Sequence, residues 1–306
     1  MYVHSAILEV AERYRRRKVR SSSEITKEAL IALGRAVRDL RVSSPNELLR
    51  EVKWACFLLE KQCPPVVILS NCIGKLLSLA ERCVKEGRMV EEIKESVSRE
   101  AEKLSWEIED AIIRIGGIGA REVGDGETIL THAYSLTVFT VIREAIKRGK
   151  NIRVLVTETR PEFEGRILAK KLARNRVPVT LIIDSAVKHY MSEVDRVLVG
   201  ASAILSDGSV INRIGTSTIA SVARDLGVKF VVVAGTYKFT TDTDFSSKFE
   251  ERDLTLVLPE YELEEEEFLT VRNPMVDLTR AEYISEIITE KGKFKPRQLA
   301  RLLSTA

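Results

Sequence analysis

Cysteine is scarce in this sequence, and the few cysteines lack the spacing of a metal site. The 306 residues contain four, Cys56, Cys63, Cys72 and Cys83, all in the first third of the chain and none in a CxxC pair. Zinc sites built on that pairing are therefore not expected, and we predict no metal or other cofactor. The first residues show no secretory leader, so we expect buried, reduced thiols rather than disulfides.

Long apolar runs and an excess of charge of one sign are also missing. Lysine and arginine total 48 against 45 acidic residues, which gives a net charge of only +3. That balance provides no extended basic surface, so direct binding of nucleic acid is not expected. No stretch approaches the roughly 18 uninterrupted apolar residues of a membrane span. We therefore expect a cytoplasmic protein without membrane contact.

The first third of the chain is dominated by apolar residues at helical spacing. Ile7, Val10 and Ala11 begin one such series, and the pattern continues to about residue 115. Residues 92–112 have the charged, amphipathic pattern of one long helix. Three glycines then interrupt the pattern: Gly116, Gly117 and Gly119. We therefore predict a helical N-terminal domain over residues 1–120.

From residue 121 onward, short β-branched runs alternate with stretches long enough for helices. The runs lie at residues 129–131, 154–157, 179–183, 197–199 and 230–233. Helices are expected between them at residues 134–148, 165–175, 186–192 and 218–226. This alternation indicates a parallel sheet, and near-continuous apolar runs fit strands buried on both faces. The predicted fold class is α/β: an N-terminal helical domain followed by a Rossmann-like parallel-sheet domain over residues 121–306.

Polar residues follow each predicted strand, where ligands bind in sheets of this kind. Arg160 can hold a phosphate with two N–H groups, and a helix that begins at Gly165 offers free backbone N–H groups. Asn212 and Arg213, in the polar segment 207–216, offer further donors. Each residue alone also has a plain structural explanation, since an arginine before proline is common in solvated turns. Their expected convergence at one edge favours an anion site.

Other features favour structural roles. Trp54 and Trp106 lie in helical patterns and are predicted to be core residues. Ile284, Ile287 and Ile288 have the spacing of an apolar helix face, which fits either the core or a contact between two copies of the chain.

The strings that follow the strands resemble one protein family. They are Ile129-Leu130-Thr131-His132, Thr157-Glu158-Thr159-Arg160-Pro161 with Gly165, Asp184-Ser185-Ala186, Asn212-Arg213-Ile214-Gly215-Thr216 and Asn273-Pro274-Met275-Val276-Asp277. In this order and spacing they are similar to the family that unites the alpha, beta and delta subunits of translation initiation factor 2B with two sugar-phosphate isomerases. Those isomerases act on methylthioribose-1-phosphate and on ribose-1,5-bisphosphate. The resemblance covers residue 126 to the C-terminal tail and implies a homodimer.

The resemblance also implies a site for a phosphorylated small molecule. It extends into the helical region through Val19-Arg20-Ser21-Ser22, which resembles a segment that holds the substrate phosphate in the isomerases. The ligand-binding residues that it implies are Arg20, Ser21, His132, Glu158, Arg160, Gly165, Asp184, Asn212 and Arg213.

Two positions depart from the isomerase pattern. The position of the family's catalytic cysteine is Ala133, and that of its catalytic aspartate is Ser202. Alanine cannot transfer a proton between substrate carbons, and such a step needs a placed acid and base. His132, Glu158 and Asp184 are the candidates to replace the missing groups, although each also has a structural role available.

The resemblance is strongest to the alpha subunit, through residues 129–135, 177–180 and 237–239. The function that it implies is a non-catalytic regulatory subunit that contacts initiation factor 2 or other factor 2B-like subunits. Residues 158–161 instead have the isomerase form, which leaves binding of a sugar phosphate or nucleotide open. The alternative function is a sugar-phosphate isomerase of the ribose-1,5-bisphosphate type, or a sensor of such a ligand.

Overall fold

Apolar stripes at helical spacing produce five helices in the N-terminal part of the chain. The computed structural model describes residues 5–15, 21–62, 66–242, 253–259 and 268–305. The helices are α1 (Ser5–Arg15), α2 (Ser22–Asp39), α3 (Pro45–Gln62), α4 (Val67–Lys85) and α5 (Val90–Glu122). None of the helices in the described ranges is both long enough and apolar enough to span a bilayer.

The described chain divides into two compact units, Met1–Ala111 and Ile112–Ala306, and α5 contributes residues to both. The domain boundary expected after residue 120 stays a prediction. The expected α/β class, with a helical N-terminal region and a sheet dominated by parallel pairs, is confirmed.

The described cysteines of the helical unit are buried thiols without a disulfide partner. Cys56, Cys72 and Cys83 are free and buried, as predicted, and Cys63 lies outside the described residues. Burial raises the pKa of the Cys56 thiol to about 12 and that of Cys72 to about 11. Both thiols are therefore protonated, and poor nucleophiles, at neutral pH.

The two tryptophans lie nearer the surface than the sequence suggested. Trp106 is 67% exposed, so its assignment to the core is wrong. Trp54 is half buried, and its ring stacks on Phe57 with 5.4 Å between the ring centres. Both lie in helices with an amphipathic pattern, and the long α5 has an outer face on which Trp106 falls.

Gly116, Gly117 and Gly119 were predicted to interrupt the helical region, but all three lie inside helix α5. A Cβ on Gly116 would come 2.5 Å from the Thr140 methyl carbon, and one on Gly119 would come 2.6 Å from a methyl of Val141. Thr140 and Val141 belong to α6 (Leu136–Lys147). These glycines therefore permit close packing of two helices, which outweighs their low helix propensity.

The second unit is built on a seven-stranded sheet. Its strands, in the spatial order β11-β10-β7-β4-β1-β2-β3, are β1 (Thr128–Thr131), β2 (Arg153–Thr157), β3 (Val179–Ile182), β4 (Arg196–Val199), β7 (Lys229–Val233), β10 (Glu286–Thr289) and β11 (Gly292–Phe294). All neighbours are parallel except β10 and β11. The chain runs outward from β1 through β2 to β3 and then returns to β4 on the other side. The order therefore reverses between β1 and β4, which is where sheets of this class bind ligands.

Helices cover both faces of this sheet. Besides α6 they are α7 (Glu164–Arg174), the short α8 (Val187–Tyr190), α9 (Thr216–Asp225) and α10 (Pro296–Ser304). Alternate residues of the central strands enter two different apolar clusters: Val231 and Val233 of β7 enter one, and Phe230 and Val232 enter the other. Central strands are thus buried on both faces, as expected.

Three parts of the second unit differ from the sequence expectation. β3 is an edge strand, and Leu181 is 47% exposed there. Ile287 and Ile288 lie in strand β10 rather than on a helix. A second, four-stranded sheet was not anticipated; its order is β8 (Phe239–Thr240), β5 (Ala203–Leu205), β6 (Val210–Arg213) and β9 (Val276–Thr279).

Candidate functional site

The carboxyl ends of β1 and β4 place Ala133 and Ser202 at the point where the strand order reverses. His132 and Ala133 follow β1 directly, and residues 200–202 follow β4. Gly200 allows these two turns to approach, since a Cβ there would come 2.6 Å from the Ser135 hydroxyl. We refer to this side of the sheet as the carboxyl edge.

His132 is a buried residue whose two ring nitrogens both contact protein atoms. Nε2 lies 2.8 Å from the Ile214 carbonyl, and Nδ1 lies 2.6 Å from the Thr157 hydroxyl. Because a carbonyl only accepts, Nε2 carries the proton and Nδ1 accepts from Thr157 in the neutral ring. Burial lowers the pKa of His132, against the raising effect of that backbone contact and of nearby carboxylates. The ring is therefore neutral and held in place, with no nitrogen directed at a ligand.

The turn after β1 has a strained backbone. Ala133 and Thr159 have φ angles of 63° and 60°, in the left-handed region that most side chains avoid. The Ala133 N–H donates to the Thr159 hydroxyl at 2.9 Å, which ties the end of β1 to the end of β2. Strain of this kind persists where the surrounding structure fixes it and is common at functional sites.

Asp184 accepts the backbone N–H groups that follow β2. Its two carboxylate oxygens lie 2.8 Å from Thr159 N and 2.6 Å from Arg160 N. The Arg160 guanidinium is exposed; it lies 5.1 Å from the Phe163 ring centre and donates to the Leu256 carbonyl at 3.4 Å. The Arg160 side chain thus points to a surface region, while its backbone is committed to Asp184.

Gly165 allows α7 to begin directly against the end of β2. A Cβ on Gly165 would overlap the carbonyl oxygen of Thr157, far inside van der Waals contact. Its neighbour Glu164 is 3% exposed and accepts both Arg213 Nε and Nη2, at 2.9 and 2.7 Å. Near α7, Glu158 forms a second pair with Arg166, whose Nε donates at 3.1 Å.

Asn212 and Arg213 lie in strand β6 rather than in a loop, which corrects the expectation for segment 207–216. The Asn212 amide donates to the Thr216 hydroxyl at 3.1 Å. Opposite Asn212, Asp277 of β9 accepts from Gly215 N at 2.8 Å and from Ser217 N at 3.0 Å. Asp277 therefore occupies the start of α9, where a free anion would otherwise bind. Burial raises its pKa.

Lys238 is a buried lysine at this edge that was not predicted to be a site residue. In the sequence it is noted only as part of residues 237–239, which resemble the alpha subunit. It follows β7, is 5% exposed, and donates to the Ala201 carbonyl at 2.7 Å, next to Ser202. Burial lowers its pKa to about 8. A lysine surrounded by apolar residues in the sequence gives no sign of such a position, because its burial depends on the contact between the turns after β7 and β4.

The structure brings most of the predicted residues to one edge. His132, Glu158, Arg160, Gly165 and Asp184 follow β1, β2 and β3, and Arg213 reaches them through Glu164. Ser21 belongs to the helical unit, where it is the N-cap of α2 in a capping box with Glu24. Arg20 lies outside the described residues. In the described ranges no group of histidine, cysteine or carboxylate side chains has the arrangement of a metal site.

Carboxylates of the chain itself accept hydrogen bonds from donors at this edge, and one of these donors, the Arg213 guanidinium, was expected to bind phosphate. Asp184 takes the backbone N–H of Arg160, Glu164 takes the Arg213 guanidinium, and Asp277 takes the start of α9. All three carboxylates raise the pKa of His132, which places them around one ring. The edge is a polar cluster in which these three carboxylates are hydrogen-bonded, and Ala133 and Ser202 bring no acid or base to it.

Comparison with known proteins gives consistent matches along the chain. A family model described as the initiation factor 2 subunit family, IF-2B, matches residues 18–296. The ribose 1,5-bisphosphate isomerase of Pyrococcus furiosus is 36% identical over 95% of this chain and 90% of its own length. That of Archaeoglobus fulgidus is 38% identical over 95% and 90%. The structure of Pyrococcus horikoshii translation initiation factor eIF-2B superimposes with a TM-score of 0.81, at 26% identity, covering 97% of this chain and 99% of that one.

Proposed function

Because the chain belongs to the initiation factor 2 subunit family, we propose that it is a non-catalytic regulatory subunit of the factor 2B type that binds a phosphorylated small molecule. One observation carries the proposal: the two positions at the strand-order reversal are Ala133 and Ser202. The three candidates to replace the missing groups have other partners: His132 is hydrogen-bonded on both nitrogens, Asp184 accepts two backbone N–H groups, and Glu158 pairs with Arg166. The site keeps a polar lining, while positions 133 and 202 have no acid or base for a proton transfer between substrate carbons.

The proposed partners are initiation factor 2 or other factor 2B-like subunits, with the chain itself as a homodimer through its α/β unit. The family match and the likeness to an archaeal eIF-2B structure support this assembly role. Size-exclusion chromatography with light scattering tests the dimer, and co-purification of tagged protein from its own source tests the partners. Recovery of a monomer without any initiation factor would refute the assembly role.

A sugar-phosphate isomerase is the second candidate, and the relatives favour it. Two proteins named ribose 1,5-bisphosphate isomerase match almost the full chain at 36% and 38% identity. The segment from Glu158 to Pro161 has the isomerase form. Under this alternative the proton would be moved by groups other than those at positions 133 and 202.

An assay of turnover separates the two functions. Purified protein is incubated with ribose-1,5-bisphosphate, and formation of the ketose is followed by 31P NMR. We expect no turnover by the wild type. We expect the Ala133→Cys/Ser202→Asp variant to gain activity, because alanine already places a Cβ at this strained position and cysteine adds only a sulfur.

The matched control is Ala133→Ser/Ser202→Asn, which has similar side-chain volumes without a thiol or a carboxylate. It is expected to be as inactive as the wild type. Conversion of the bisphosphate by wild-type protein would reverse the ranking of the two candidates.

A further inference from the structure

The pairing of Glu164 with Arg213 limits which ligands the carboxyl edge can accept. Glu164 is 3% exposed, and the Arg213 side chain is 18% exposed. Two hydrogen bonds of 2.9 and 2.7 Å join both carboxylate oxygens to the guanidinium. Bidentate pairs of this type are among the strongest polar contacts in proteins. Arg213 is thus already matched to an anion that the chain supplies.

Other cations of this edge are differently placed. The side chains of Arg160 and Lys238 contact backbone carbonyls, of Leu256 and Ala201, and within the described ranges neither contacts a carboxylate. Lys238 is buried, whereas Arg160 is exposed, so a phosphate that approaches Arg160 meets a guanidinium that pairs with no carboxylate in these ranges. A phosphate that approaches Arg213 meets the Glu164 carboxylate as well.

We propose that Glu164 is a specificity-determining residue that makes the carboxyl edge prefer a ligand with one phosphate and disfavours a second phosphate at Arg213. This inference rests on the proposed ligand-binding function and names its preferred ligand class: sugar monophosphates rather than bisphosphates. Glu164 acts through Arg213, so its role is to set which charge the site accepts.

The physical reason is that a phosphate and the buried Glu164 carboxylate repel each other strongly, because little water is present to screen the two negative charges. A phosphate at Arg213 must either displace the buried carboxylate, which then loses its hydrogen bonds, or share one guanidinium with it. An uncharged sugar hydroxyl has no such conflict, because it can donate a hydrogen bond to the Glu164 carboxylate. The same pair that repels phosphate therefore accommodates a sugar ring.

The test measures binding to wild type and to Glu164→Gln by titration calorimetry with ribose 5-phosphate and ribose-1,5-bisphosphate. Glutamine keeps the shape and removes the charge. We expect the affinity for the bisphosphate, relative to the monophosphate, to rise about tenfold or more, which corresponds to about 1.4 kcal/mol. The matched control is Glu127→Gln, which breaks a similar bidentate pair with Arg196 at the opposite edge of the sheet. It should leave the ratio at the wild-type value.

A folded Glu164→Gln protein with an unchanged ratio would overturn the inference, and so would an equal rise in Glu127→Gln. If Glu164→Gln does not fold, Arg213→Lys serves instead, because lysine keeps the charge but cannot make the two-pronged contact. We then expect a rise of about threefold, and no rise would overturn the inference.

Inorganic phosphate separates this inference from the proposed function. Glu164→Gln should bind inorganic phosphate more tightly than wild type whatever the natural ligand is. Equal phosphate binding by the two proteins refutes the role of Glu164 and leaves the proposed function untouched. Failure of wild type to bind ribose 5-phosphate, with the gain in phosphate binding present, refutes the proposed ligand role alone.

Discussion

At both edges of the seven-stranded sheet, a glutamate holds an arginine through two hydrogen bonds. At the amino edge, where the parallel strands begin, Glu127 precedes β1 and accepts from Arg196 of β4 at 3.1 and 3.0 Å. At the carboxyl edge Glu164 holds Arg213 in the same way. Each edge also has aspartates that accept backbone N–H groups, such as Asp195 from Thr128. The chemistry that fixes the two edges is therefore the same.

The two edges differ in the number of residues with a strained backbone and in their buried polar groups. Of the four non-glycine residues with positive φ in the described ranges, Ala133, Thr159 and Phe163 lie at the carboxyl edge, and Arg176 lies on the amino side. The Thr131 hydroxyl, at the end of β1, is buried without a hydrogen-bond partner in the same ranges. Such features cost stability and collect where a protein binds ligands. These features therefore support the proposal that the ligand binds at the carboxyl edge.

The largest difference between the two edges is expected in how much stability is lost when a glycine is replaced by alanine. Gly165→Ala places a Cβ against the Thr157 carbonyl, which α7 cannot avoid without moving from β2. We expect a loss of more than about 4 kcal/mol or failure to fold, since a main-chain clash in a packed region is among the most damaging changes. Urea unfolding followed by circular dichroism measures it.

Gly149→Ala is the matched change on the amino side. Its φ is +81°, but nothing lies within 4 Å of the added carbon. Only backbone strain of about 1 kcal/mol is expected. Equal losses in the two variants would mean that α7 does not lie in direct contact with the end of β2 at Gly165.

The central strands could be predicted from the sequence because each buries a short apolar run. The runs at 129–131, 154–157, 197–199 and 230–233 all fall within β1, β2, β4 and β7. The second sheet could not be predicted, because its strands have two to four residues and pair across long separations, such as Asn212 with Asp277. Periodicity also misassigned Ile287 and Ile288, since residues at 284, 287 and 288 fit a helix as well as they fit a turn followed by a strand.

The positions of several candidate-site residues could be predicted from the sequence, but their ion pairs could not. The predicted ends of the strands indicated that His132, Arg160 and Asp184 lie on the same side of the sheet, because parallel strands have their carboxyl ends at one edge. Nothing in the sequence pairs Glu164 with Arg213, which are 49 positions apart. For that reason Arg213 was expected to hold phosphate, whereas the structure shows it bound to a carboxylate.

Lysines that donate to backbone carbonyls offer a second comparison of the edges. Lys238 at the carboxyl edge is buried with a pKa lowered to about 8 by burial alone. Between about pH 8 and 10.5, the ordinary pKa of lysine, this side chain is more often protonated in the unfolded chain than in the folded protein. Lys238 therefore makes the free energy of unfolding rise with pH across that range. Lys238→Met should remove that rise. At pH 7 it should stabilise the protein by about 2 kcal/mol, since relief of a burial cost near 3 kcal/mol exceeds one lost hydrogen bond.

Lys150 on the amino side is the control for this change. It donates to the carbonyls of Ala120, at 2.8 Å, and Val123 at the end of α5. A cation at a helix C-terminus is stabilising, so Lys150→Met should lose about 1 kcal/mol. Thermal unfolding at pH 7 and pH 10 measures both variants. A Lys238→Met protein that is less stable than wild type at pH 7 would show that the ammonium is better compensated than its contacts indicate.

The smallest expected effect concerns His132. Its pKa is lowered by burial, so the unfolded chain binds the extra proton first as pH falls below about 6.5. The free energy of unfolding therefore falls as the pH drops from about 6.5 toward the lowered pKa of His132 in the folded protein. The slope of this fall is at most about 1.4 kcal/mol per pH unit. The raised pKa of Asp277 acts in the opposite direction, because its protonation favours the folded state. Urea unfolding at pH 7 and pH 5.5 should show a decline in the free energy of unfolding of wild type that His132→Gln lacks. The same decline in both proteins would assign the acid sensitivity to other groups, and the carboxyl edge would then not differ from the amino edge in this respect.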